Sequence, residues 1–334
     1  MLEDSYLIQA LKRQSPERVP VIYCGPGCNG VIEGKTLGTM RSDAKVMLEV
    51  ENAILEKVGC DWMALFTDAM PIPEALGCKA AIHEDRMAEV AEGKVIDDFE
   101  SFGEYDLEGT YSCKAIFDAV AEAATYSEVP LSTTFEGPLT TCFQIFGADD
   151  FLPAMIEDPE LVHEAIKATA DVLCDFVEIA ASKGVTVFFL PDPCSSKNMI
   201  SQKHFIEFAQ PYQKQVIDKM HAMGALVILH ICGDTIDRIV DMADTGADGL
   251  SVDYVVDIAE AIARVEGRST IVGNVDPVSI LMRGTPEDVV AATAACMEKA
   301  GSTNFVMMPG CAVPPGVSLE NLQAMAKTAK EWKY

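Results

Sequence analysis

Two rhythms of apolar positions alternate along this chain. Short apolar runs rich in β-branched residues predict strands at 19–23, 61–66, 131–135, 185–190, 225–231, 249–253, 270–273 and 304–308. Longer stretches with apolar residues every three to four positions predict helices between them, among these 44–58, 159–183, 202–223, 236–245, 286–300 and 319–332. A short amphipathic helix over 3–13 stops at Ser15-Pro16. Local punctuation agrees with these assignments. Thr285-Pro286-Glu287-Asp288 sets an N-cap, a proline at the first helical position and acids in the first turn, and Ser318 is a second N-cap. Gly184 and Gly224 stand where helices end just before strands.

Strand–helix alternation with eight strands predicts an α/β fold, a (β/α)8 TIM barrel, in a single domain over 1–334. The second and third strands lie much further apart than one helix requires. The charged stretch 77–115 therefore predicts an insertion between strands two and three, read as a small β-hairpin with Glu92-Gly93 at its turn.

Composition narrows the function. The chain has 334 residues, 49% of them hydrophobic, enough for a large core. Its net charge of −27 argues against a nucleic-acid partner, and against a polyanionic substrate unless basic residues gather locally. No apolar run is long enough to span a membrane, and the N-terminus has no secretion-type apolar segment, so the expectation is a cytoplasmic protein. Eleven cysteines, an odd number without a secretion signal, then read as free thiols rather than a disulfide framework.

Two motifs change the picture. The fifth predicted strand ends LHICGD, and residues two apart on a strand face one side, so His230 and Cys232 converge while Gly233 permits a tight turn. Cys311 follows the eighth strand, and in a barrel all strand C-terminal ends meet at one mouth. One imidazole and two thiolates form a zinc set, since soft thiolates disfavour magnesium and calcium. Asp253, at the end of the sixth strand, is the expected fourth and weaker ligand. From the residues alone, chance packing of a His-x-Cys pair and a structural zinc both remain open.

At these residues the sequence resembles the uroporphyrinogen-decarboxylase-fold superfamily, and within it the zinc-dependent corrinoid methyltransferases of the methylcobalamin:coenzyme M and O-demethylase types. The likeness runs over nearly the whole chain: RVPV at Arg18, FEGPLTTCFQIFG from Phe135, LPDPCSSKNMIS from Leu190, HICGDT, GNVDPVSILMRGTPEDV and PGCAVPPGVSLENL. It implies a barrel of the uroporphyrinogen decarboxylase type with zinc on His230, Cys232 and Cys311 and an acidic fourth ligand at Asp253. It also implies methyl transfer between a corrinoid (cobalamin) cobalt, carried by a partner corrinoid protein, and a thiol or a methylated small molecule. Asp192 and Glu136, with Asp253, are the catalytic candidates. Asn274 and Gly233 are placed toward the cofactor, and Asp276-Pro277 caps a helix. Cys24 and Cys28 read as a flexible substrate loop or alternative ligands, Cys194 as a loop thiol, and His83, His163, His204 and His221 as structural. The rivals are a decarboxylase, which would need basic groups for a carboxylate-rich substrate, a zinc hydrolase, and a corrinoid-binding barrel with a structural zinc.

Overall fold

The computed structural model describes residues 4–84, 86–96 and 104–334. Nine strands occur among them: β1 (Met63–Ala64), β2 (Lys79–Ala81), β3 (Glu89–Glu92), β4 (Leu131–Thr134), β5 (Val187–Pro191), β6 (Leu226–Ile231), β7 (Gly249–Val252), β8 (Thr270–Val275) and β9 (Phe305–Pro309). Seven form one parallel sheet in the order β1-β4-β5-β6-β7-β8-β9. Helices follow these strands and cover the sheet, so strands such as β5, VFFLP, are apolar along almost their whole length.

The predicted first strand at 19–23 contributes one parallel bridge, Val21 with Met307, rather than a full strand. The Ile22 N–H donates to the Met307 carbonyl and the Met307 N–H to that of Pro20. On its other side, the Val21 carbonyl accepts from the Asp61 N–H at 2.8 Å. The segment thus bonds to β9 and to the residues leading into β1.

Helix Pro159–Lys183 shows how sequence becomes structure here. Asp158 caps it by accepting the Leu161 N–H, Pro159 starts it and Gly184 ends it. Val162, Ile166, Thr169, Leu173, Phe176 and Ala180 recur at helical spacing and are buried. Each large apolar member stabilises the packed state by roughly 1.5–3 kcal/mol. The predicted helix 202–223 is instead divided, with a π turn at Phe205–Ala209 before Gln210–Ala222. Pro211 lacks the N–H that regular bonding would use, and the wider turn accommodates it.

The stretch 77–115 contains a hairpin, but with a different turn. Strands β2 and β3 pair antiparallel, with Lys79 opposite Glu92, so Glu92-Gly93 lies at the open end and the turn falls between Ala81 and Glu89. Gly93 has another reason to be glycine, because a Cβ there would sit 2.2 Å from the Ile145 carbonyl oxygen. The expected boundary at 115 falls inside the helix Tyr111–Ala123, which packs into the core. Part of the stretch, 97–103, lies outside the described residues.

Near the first segment, the Tyr23 hydroxyl donates to Asn29 Oδ1, and Asn29 Nδ2 donates to both oxygens of Glu51. Burial pushes the Glu51 carboxyl up to about 8, although the Asn29 bond favours the charged form. Because the folded state holds this proton more tightly than the unfolded chain, stability from Glu51 is fullest below the usual carboxylate range and is lost as pH rises toward 8. The Glu51→Gln variant should therefore lose less stability than wild type between about pH 5 and 8, with slopes differing by up to about 1.4 kcal/mol per pH unit. Urea unfolding at a series of pH values measures this, and parallel profiles would show that Glu51 is not held protonated.

Candidate active site

Strand β6 delivers the chemistry through its alternation. His230 is its penultimate residue and Cys232 follows it, so both side chains face the same side at the strand's C-terminal end. Cys311 comes two residues after β9 ends. Although 79 positions separate the cysteines in number, their Sγ atoms stand 3.8 Å apart, and Cys232 Sγ lies 3.3 Å from His230 Nε2. All three ligand atoms fall within 4.8 Å of one another, a spacing that can hold a metal ion.

The imidazole is held in one state. His230 Nδ1 lies 3.2 Å from the Ser251 carbonyl oxygen and 3.0 Å from its Oγ. A carbonyl only accepts, so Nδ1 carries the hydrogen and Nε2 presents its lone pair to the cysteines. Phe189 stacks on the ring at 5.7 Å. The thiols share their protons unequally. Hydrogen bonding from Cys232 pulls Cys311 below an ordinary thiol despite burial, and the same pairing, with burial, drives Cys232 far above one.

These groups open into a cavity of about 150 Å³. Its wall includes Phe66, Ala69, Met87, Phe189, Pro191, Cys24 and the carboxylates Asp68 and Glu136. Asp68 is not free: Arg41 donates to it at 2.7 Å, the Met70 N–H caps it, and Arg41 also pairs with Glu74. Glu136 differs, because its buried Oε2 has no hydrogen-bond partner among the described residues. Burial, then the nearby Asp192 and Cys311 charges, push its carboxyl up to about 8.

Other expected site residues turn out to have framework tasks. Asp253 is not in the metal-sized group. Its Oδ2 accepts the Gly233 N–H at 2.8 Å and its Oδ1 the Val255 N–H, so it braces two turns. Gly233, with φ of +78°, makes the turn that Asp253 fastens and does not line the cavity. Asn274 spends both amide hydrogens on the carbonyls of Asp253 and Val256, which fixes the loop after β7. Asp192 is fully buried and accepts from Thr140 N and Oγ1, Ser195 Oγ and Gln213 Nε2. Cys24 lines the cavity, but Cys28 lies in helix Pro26–Glu33 with its thiol donating to the Val317 carbonyl, so CGPGC is not a flexible loop. Cys194 sits in the turn Pro193–Ser195, and Asp276 caps the turn after β8. His83, His163, His204 and His221 lie outside the cavity wall. The sequence reading missed Asp68, Phe66 and Met87. Asp68 follows a strand end as Cys232 does, so the same placement rule would have found it.

The profile of the uroporphyrinogen decarboxylase (URO-D) family matches residues 2–332. The chain belongs to this family. Within it, a methylcobamide:CoM methyltransferase of Methanosarcina mazei is 28% identical over 98% of this chain and 97% of its own length. A uroporphyrinogen decarboxylase of Chlorobaculum parvum is 25% identical over 99% and 98%. In structure, a methyltransferase from Methanosarcina mazei superposes with a TM-score of 0.92 at 23% identity, covering 99% of both chains. A B12-independent methionine synthase from Shewanella sp. matches at a TM-score of 0.58 and 11% identity over 85% of this chain and 86% of its own. This family member thus shares its fold with proteins of differing named activity, and the site residues must separate them.

Removing the Asp192 carboxylate strands four buried donors at once. Asp192→Ala should cost at least about 3 kcal/mol of stability. Chemical denaturation reads this, and a cost under about 1 kcal/mol would remove Asp192 from the framework.

Proposed function

We propose that this protein is a zinc-dependent methyltransferase that moves a methyl group between a corrinoid and the sulfur of a thiol. The observation that carries the reading is the His230, Cys232 and Cys311 cluster opening into a small apolar cavity. Two thiolates on a tetrahedral zinc with Zn–S near 2.3 Å stand about 3.8 Å apart, which is the separation of the two sulfurs here. A lone-pair Nε2 and two soft sulfurs fit zinc better than magnesium or calcium. The names of the methyltransferase relatives support the same activity.

Zinc bound there would supply the Lewis acidity that keeps a substrate thiol ionised near neutral pH. The chain's own residues do the rest. Ser251 fixes the His230 tautomer, and Phe66 and Phe189 keep water from the reacting sulfur. Glu136 Oε2 offers a hydrogen-bonding group with no competing protein partner. In the reaction the thiol sulfur takes the methyl as a cation equivalent, its proton leaves, and cobalt keeps the electron pair. A decarboxylase acting on a carboxylate-rich substrate fits less well, because no Lys or Arg lines the cavity among the described residues.

Several coarser features join this reading. The 20–22 segment, bonded on both sides, acts as the eighth strand of a (β/α)8 barrel of the uroporphyrinogen decarboxylase type, in one domain over 1–334 with the hairpin region as its insertion. A partner corrinoid protein brings the cobalt to the mouth. The cytoplasm suits eleven cysteines that are all free. No helix among the described residues is long and apolar enough to cross a membrane.

Purified anaerobically, the protein should carry about one zinc per chain. The Cys232→Ala/Cys311→Ala double variant should lose it while keeping its circular dichroism spectrum, and full zinc in that variant would refute the site. Mixed with methylcobalamin and small thiols, the wild type should bleach the methylcobalamin spectrum and yield a thioether. Failure with every thiol and every corrinoid carrier would overturn the methyltransferase reading.

A further inference from the structure

The cavity beside the metal-sized cluster is small, apolar and without a basic wall. Its volume of about 150 Å³ is on the scale of a void that holds benzene. Phe66, Phe189, Ala69 and Met87 supply much of its surface. None of its lining residues is Lys or Arg. The residues outside the description, 1–3, 85 and 97–103, include no Lys or Arg either. Arg41, behind Asp68, is buried and already committed to Asp68 and Glu74, and Arg86, the sequence neighbour of Met87, pairs with Glu89. The ionisable side chains that do reach the wall, apart from the cluster itself and Cys24, are the carboxylates Asp68 and Glu136. The chain as a whole carries −27.

We infer that the small substrate of this site is an uncharged, mainly apolar molecule, and not one bearing a sulfonate or carboxylate. This rests on the proposed methyl transfer and names its substrate class. An anion entering this cavity would lose its water shell and gain no cation in return, a loss that buried ions do not recover without a partner. It would also meet Glu136 and Asp68, whose nearness adds repulsion whenever they are ionised. A neutral tail instead packs against Phe66 and Phe189 and leaves Glu136 Oε2 free to bond one polar atom of the ligand.

Three thiols with the same two-carbon frame test this: ethanethiol, 2-mercaptoethanol and 2-mercaptoethanesulfonate, the thiol of coenzyme M. With zinc-loaded protein and methylcobalamin, kcat/KM should be at least tenfold higher for each neutral thiol than for the sulfonate. Calorimetric binding to the same protein without corrinoid should give the same order. Met87 borders the cavity and is partly exposed, so Met87→Lys should narrow the ratio by adding the missing cation. A sulfonate that binds and reacts as well as the neutral thiols would overturn the assignment while leaving methyl transfer intact. Methyl loss with none of them would count against the methyl-transfer reading, and the calorimetric order would then decide the substrate class by itself.

Discussion

His230 and Ser251 are register partners on adjacent parallel strands, and the bond between them sets the site. A slip of one residue between β6 and β7 would turn His230 into the helical layer and bring the wrong neighbours to Cys232. The carbonyl of Ser251 also selects the tautomer, so the backbone ladder determines which imidazole nitrogen is available. Similar dependence runs along the sheet, where Val275 pairs with Pro309 and so fixes where the chain leaves β9 toward Cys311. The spacing of the cluster is therefore a product of strand register more than of local side-chain contacts.

Around this ladder stands a ring of buried polar groups that hold loops in place. Asp192 gathers the turns after β4 and β5 through Thr140 and Ser195 and ties them to Gln213. Asp253 and Asn274 do the same for the turns after β6 and β7. These acceptors and donors are almost fully used, as buried polar groups must be. Glu136 Oε2 and Gln213 Oε1 are among the buried side-chain atoms without a partner among the described residues, and of these two residues Glu136 lines the cavity. What sets Glu136 apart is therefore its place at the cavity beside the cluster rather than the missing bond alone.

The sequence carried the sheet and the cluster well because both depend on short-range signals. Alternation located β5 to β9 within a residue or two, and the caps at Thr285 and Ser318 appear as read. His230, Cys232 and Cys311 could be brought together before any coordinates because parallel strands end on one face. The roles of Asp253, Asp192 and Asn274 were not legible in the same way. A polar residue at a strand end can point into the mouth or back into a turn, and only the positions of Gly233, Thr140 and Val256 decide between these. The hairpin turn was misplaced for a related reason: Gly93 avoids a clash with Ile145, a residue distant in sequence.

The hairpin of β2 and β3 has a different bearing on how such a protein changes over generations. Its strands are short and largely exposed, and they form a sheet apart from the seven that carry the cluster. Yet Met87, in the turn between them, forms part of the cavity wall. Mutations in this turn can reshape what the cavity admits at little cost to the core, while the metal-sized cluster stays under the strict control of the large sheet. The cluster and part of the cavity wall thus rest on separate pieces of chain, and the one can drift while the other is held by the mechanics of folding.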